Sequence, residues 1–251
     1  MKLLRKSMMW VHTSVIYIWT TCATIVLGIL AIAVSFFSKK GNGVHVVARF
    51  WAKSILAVSF LRTKIRGWEN IEDGKSYIFM ANHQSNYDIP TALGCLVVEF
   101  RWLAKAELFR IPIFGRAMRG AGYISIDRSD RKSAFESLKK AATTIREGVS
   151  VLIFPEGTRS EDGKVLPFKK GGFYLALDAG VPIVPIVISG THEVMPKHHF
   201  LVRTGGAVTI DIMPPIETAQ YTRKEMDLLI EKVRNVMVET LDKQNRGEWP
   251  C

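Results

Sequence analysis

The chain has 251 residues and a formal net charge of +11, with 34 Lys/Arg against 23 Asp/Glu. That length suits one domain with a full core plus an appendage. Hydrophobic residues make up 48% and mean hydropathy is +0.12, high for a soluble protein. Both excesses are local. The first 66 residues hold ten Lys/Arg and no Asp or Glu, which leaves 24 basic and 23 acidic residues for the rest. A nearly neutral globular part argues against nucleic acid as the partner. Cys22, Cys95 and Cys251 show no CxxC or metal-like spacing. Scattered cysteines of odd number suggest reduced thiols and a cytosol-facing domain. Cys251 ends the chain and so is no prenylation signal, which needs three residues after the Cys.

In chain order, Ser14 to Phe37 carries no charge over 24 residues. A helix of that length covers roughly 36 Å against a hydrocarbon core near 30 Å. It reads as a retained membrane anchor, with a buried core helix as the alternative. Lys and Arg flank it on both sides, so charge does not orient it, and a hairpin within one leaflet is favoured over a span. After a turn at 39–43, residues 44–61 read as an interfacial helix. Its stripe of His45, Arg49 and Lys53 is expected to face anionic lipid headgroups, with His45 solvated. Residues 1–66 are thus expected to form a two-helix membrane module, and 67–251 a second domain.

From residue 67 short apolar runs alternate with helical segments. Strands are expected at 77–81, 100–104, 122–126, 149–154, 183–188 and 207–213. Helices are expected at 89–98, 133–147, 172–179 and 222–242. Ser133 and Glu136 suggest a capping box, and Pro182 and Pro185 suggest an edge strand or an irregular bend. The alternation predicts an α/β fold with a mixed, largely parallel sheet flanked by helices.

Two loops after apolar strands could carry chemistry. Asn82-His83-Gln84-Ser85-Asn86-Tyr87-Asp88 offers an imidazole and a carboxylate. Histidine gains and loses a proton near neutral pH. Five residues of ideal helix turn about 500°, so His83 and Asp88 meet only if the segment begins as loop and becomes helix. The alternative is a capped helix start. Phe154-Pro155-Glu156-Gly157-Thr158-Arg159-Ser160 follows the 149–154 strand. In a parallel sheet such loops gather at one edge. Arg159 there is a fork suited to phosphate, or an ordinary exposed turn residue. Lys105 and Arg128 sit at predicted strand ends and could add charge to the same edge, or pair on the surface. The 181–187 run could line an acyl groove or lie at the core edge.

Together, Asn82-His83-x4-Asp88, Gly122 to Asp127-Arg128, Phe154 to Ser160 and Val181-Pro182-Ile183-Val184-Pro185 resemble, in that order, the four motif blocks of the glycerolipid acyltransferases. The nearest likeness is to bacterial 1-acyl-sn-glycerol-3-phosphate acyltransferases. The resemblance covers about residues 67–190. It implies a glycerol-3-phosphate acyltransferase-like domain that moves a fatty acyl group from acyl-CoA or acyl-carrier protein to the sn-2 hydroxyl of lysophosphatidic acid. His83 would be the general base and Asp88 its orienting carboxylate. Glu156, Gly157 and Arg159 would form the acceptor site, with Arg128 and Lys105 helping to hold the phosphate. Val184 and Pro185 would line the acyl-donor groove. No cofactor or metal is implied beyond the acyl thioester as co-substrate. The expected place is the cytoplasmic membrane, with the catalytic domain facing the cytosol. Alternatives are transfer to glycerol 3-phosphate or another lysophospholipid, or thioester hydrolysis.

Overall fold

The computed structural model describes residues 2–127 and 130–248. Two helices come first, α1 (Lys2–Ser35) and α2 (Asn42–Val58). Gly41 turns the chain between them at φ 77°. A Cβ there would meet the Ala121 backbone at 2.7 Å, so glycine serves both the left-handed turn and the close approach. There follow β1 (Arg62–Arg66), β2 (Ile78–Ala81), α3 (Asp88–Cys95), β3 (Phe100–Lys105), α4 (Phe114–Gly120), β4 (Ile124–Ile126) and α5 (Arg131–Arg146). The chain continues with β5 (Ser150–Ile153), α6 (Gly171–Ala179), β6 (Ile183–Ser189), α7 (Thr191–Val194), β7 (Ala207–Ile212) and α8 (Met226–Asn245).

The seven strands form one sheet in the order β1-β7-β6-β2-β5-β3-β4. Every neighbouring pair is parallel except β6 with β7. The expected mixed, largely parallel sheet is therefore what forms. Alternation along β2 shows the layers. Phe79 and Ala81 face a core shared with α2 and α3. Ile78 and Met80 face the opposite core, which takes in α5, α6 and α8. Burial on both faces explains why the central strands read as continuous apolar runs.

Several expectations change in detail. β6 is interior, between β7 and β2, not an edge. Its prolines are tolerated because Pro182 precedes the strand and Pro185 stands where the ladder to β7 begins, giving its carbonyl to Met213 N at 2.9 Å. Helix α5 starts at Arg131, capped by Asp130, whose side chain accepts from Lys132 N. The capping box lies instead at Thr222 and Glu225, ahead of α8. Strand β1 and helices α4 and α7 were not expected.

The N-terminal pair also differs. Among the described residues α1 is the one helix long and apolar enough to cross a membrane, over Ser7–Ser35. One side of it packs on the protein. Ile16 joins the main core, and Thr13 Oγ1 accepts from Val202 N at 3.1 Å. The other side shows Val11, Val15, Ile18, Ile25 and Ile29 exposed. The polar stripe of α2 does not all face outward. His45 is fully buried, with Nδ1 3.0 Å from the Tyr123 hydroxyl. Burial, then the charges of Arg49 and Arg101, lower its pKa to about 3. Arg49 donates to the carbonyls of Val97 and Val98. Only Lys53 of the three is exposed.

Candidate active site

The site gathers at the C-terminal edge of three adjacent parallel strands, β2, β5 and β3. The loop after β2 carries His83, the loop after β5 carries residues 154–160, and β3 ends at Lys105. Parallel pairing is the reason: it turns all three C-terminal ends the same way.

Several polar side chains in the first loop have a structural task. Asn82 uses its amide like a short strand, donating to Ile188 O at 2.9 Å and accepting from Ile188 N at 2.7 Å. That bond fixes the exit from β2. His83 remains in loop geometry, and α3 opens at Asp88. The loop-to-helix change brings His83 Nδ1 to 2.7 Å from Asp88 Oδ2. The same oxygen accepts from Gln84 N at 2.7 Å and Ser85 N at 2.8 Å. Asp88 Oδ1 accepts from the Thr191 hydroxyl. Asp88 is fully buried in the first turn of α3, where the helix field favours an anion. With Nδ1–H donated to the carboxylate, Nε2 keeps its lone pair.

The second loop embraces the first. Phe154 stacks on the imidazole, with centroids 4.0 Å apart and planes 11° from parallel. Glu156 Oε1 accepts from His83 N at 2.8 Å, and Ser160 N donates to His83 O at 2.7 Å. Glu156 Oε2 accepts from Leu166 N at 3.1 Å. The carboxyl is buried, and loss of water raises its pKa to about 7 against the lowering effect of those two bonds. Gly157 turns at φ 73°.

A cavity of about 460 Å³ opens beside this pair. His83, Lys105, Gly157 and Arg159 line its polar part. Apolar walls come from α1 (Leu27, Ala31), α2 (Val44, Val47, Trp51) and α4 (Met118). Neither Lys105 nor Arg159 is paired with a carboxylate among the described residues. The cavity therefore joins an imidazole, two cationic side chains and apolar walls.

The candidate residues divide as follows. His83, Asp88, Gly157, Arg159 and Lys105 come together at this edge. Glu156 lies behind it, turned onto backbone. Val184 and Pro185 are buried in β6 and do not line the cavity. Arg128 lies outside the described residues. Sequence reasoning missed Thr191, which is 103 positions from Asp88. It also missed the contribution of α1 to the cavity. Neither carried a local signal.

Fold and site are those of a three-layer α/β enzyme with a His–Asp pair mounted at a sheet edge. The acyltransferase family model matches residues 62–189, and the chain belongs to that family. A chloroplastic 1-acyl-sn-glycerol-3-phosphate acyltransferase of Brassica napus is 38% identical over 199 residues, covering 79% of this chain and 56% of that protein. The Escherichia coli (strain K12) 1-acyl-sn-glycerol-3-phosphate acyltransferase is 34% identical over 179 residues, covering 68% of this chain and 72% of its own. The chain thus spans little more than half the length of the plant relative. The crystal structure of the 1-acyl-sn-glycerophosphate (LPA) acyltransferase PlsC from Thermotoga maritima superposes with a TM-score of 0.82 at 29% identity, covering 98% of this chain and 100% of that one.

Proposed function

We propose that the protein transfers a fatty acyl group from a soluble thioester, acyl-CoA or acyl-carrier protein, to the 2-hydroxyl of lysophosphatidic acid. One observation carries the reading: His83, held by Asp88, shares a cavity with two cations that lack carboxylate partners among the described residues and with apolar walls. The acceptor hydroxyl gives its proton to His83 Nε2 as its oxygen attacks the thioester carbonyl. The tetrahedral intermediate then collapses. The thiolate leaves and takes the proton from the imidazolium. Asp88 steadies the imidazolium between these steps, and no enzyme nucleophile is needed. Arg159 and Lys105 hold the acceptor phosphate, and the acyl chain lies along the apolar wall.

Membrane association follows from α1. Its inner side is docked on the protein and its outer side is an exposed apolar stripe. A helix docked along its length suits lying in one leaflet at the level of the headgroups, beside a lipid acceptor.

The test is acyl transfer from defined thioesters to lysophosphatidic acid in liposomes, wild type against His83→Ala. The expected loss in kcat is roughly 10²–10⁴-fold, the usual worth of a positioned base, with lipid binding retained. Thioester loss that does not depend on the acceptor would overturn the reading.

A further inference from the structure

Glu156 lies in the loop that carries Arg159, and a carboxylate there invites a role in gripping the acceptor. Its surroundings are wrong for that. It is 3% exposed and does not line the cavity, although its neighbours Phe154, Gly157, Thr158 and Arg159 do. Both its oxygens accept from main-chain amides, those of His83 and Leu166.

We propose that Glu156 is a positioning residue for His83 and not a ligand of the acceptor. Three contacts carry this. Glu156 Oε1 holds the amide of His83, and Ser160 N holds its carbonyl. The Phe154 ring lies flat against the imidazole. The base is therefore clamped by its main chain and by one ring face to the 154–160 loop. Arg159 lies between the two clamp points in sequence. Fixing them sets the distance from the proton acceptor to the phosphate grip, so the alcohol and imidazole meet at a constant reach. Glu156 Oε2 carries the clamp on to Leu166, whose carbonyl accepts from Arg234 of α8 at 3.4 Å. The bond spans two loops that no local sequence pattern joins. The inference rests on the proposed reaction, because positioning has meaning only if His83 is the base.

The test compares wild type with Glu156→Leu and Glu156→Gln in steady-state transfer to lysophosphatidic acid. Leucine removes both acceptor oxygens. A misplacement of about 1 Å costs on the order of 10²-fold, so kcat should fall by that amount in Glu156→Leu. Glutamine can keep one oxygen on His83 N, and its loss should be smaller. The KM for lysophosphatidic acid should stay within about threefold in both. A raised KM with kcat intact would make Glu156 an acceptor ligand and overturn the inference. Unchanged kinetics in Glu156→Leu would also overturn it. Should neither variant fold, hydrogen exchange of the wild-type His83 amide decides. A positioning role predicts equal protection with and without saturating lysophosphatidic acid. A ligand role requires the carboxylate to leave the amide, and protection would drop. Absence of wild-type transfer would sink the reaction itself and is distinguishable from all of these.

Discussion

At the residue scale the site depends on a few bonds whose loss should separate binding from turnover. Asp88 accepts from the His83 ring and from two main-chain amides. In Asp88→Asn the remaining oxygen can keep much of this geometry, but the charge that the proposed reaction needs to stabilise an imidazolium is gone. The expectation is a fall in kcat of roughly 10²–10⁴-fold with little change in the acceptor KM, measured by initial rates. Arg159 should behave in the opposite way. A hydrogen bond to a charged group is worth about 1.5–3 kcal/mol, so Arg159→Ala should raise the KM for lysophosphatidic acid roughly 10- to 100-fold. Arg159→Lys should recover only part, since a point charge replaces a fork. An unchanged KM in Arg159→Ala would refute its phosphate role. These residues were readable early because each stands in a short polar loop after an apolar run. Glu156 was readable as a residue but not in its orientation. Whether a carboxylate in a loop points out at a ligand or back at an amide depends on a loop 73 positions away.

At the element scale the helix after α1 is instructive. Residues His45, Arg49 and Lys53 recur every four positions and read as a solvated stripe. In the fold the first two are taken up by β4-side and α3-side neighbours, Tyr123 and the carbonyls of Val97 and Val98. His45 is neutral in its buried place, with a pKa lowered from 6.5 to about 3. A depressed folded pKa gives stability that is fully present above about pH 6.5 and is lost as pH falls toward 3, because the unfolded chain binds the proton first. The shift corresponds to roughly 5 kcal/mol over that window. His45→Gln can keep a bond to Tyr123 without titrating. Its unfolding free energy in detergent, measured by denaturant at pH 7, 5.5 and 4, should lose less on acidification than wild type. Equal slopes would show that His45 does not govern acid sensitivity. Elements missed at the sequence level share a cause. β1 contains Arg62-Thr63-Lys64-Ile65-Arg66, with one apolar residue, and becomes a strand only because β7 lies beside it. An edge strand needs little burial, so its period-2 signal is faint. Helix α4 has 7 residues and α7 has 4, too few for a periodic pattern.

At the scale of the whole molecule the N-terminal helices are part of the catalytic fold and not an appendage to it. Leu27 and Ala31 of α1 and Val44, Val47 and Trp51 of α2 wall the cavity, and Ile16 lies in the main core. Deleting residues 1–58 should therefore not release a soluble, active catalytic domain. It would expose the cavity and the α2-facing core to water, at about 25 cal/mol per Å² of apolar surface. The expected outcome is aggregation, or a protein without transfer activity even toward monodisperse acceptor in detergent. A soluble truncation with wild-type kcat would show that these helices only anchor.

The sequence by itself determined what is local. Strand-like apolar runs ending in polar loops, a His and an Asp five residues apart, an uncharged segment of helical length and a first 66 residues with no acidic side chain all survive into the structure, because backbone preference and side-chain period act over a few residues. Tertiary structure alone decided what depends on distant partners. It set β6 inside the sheet, turned Glu156 onto the His83 amide, supplied Thr191 to Asp88, buried His45 and made α1 a wall of the cavity. Each of these is a contact between segments tens of residues apart, and desolvation there is set by whatever neighbour the sheet order brings up, which no short stretch of chain encodes.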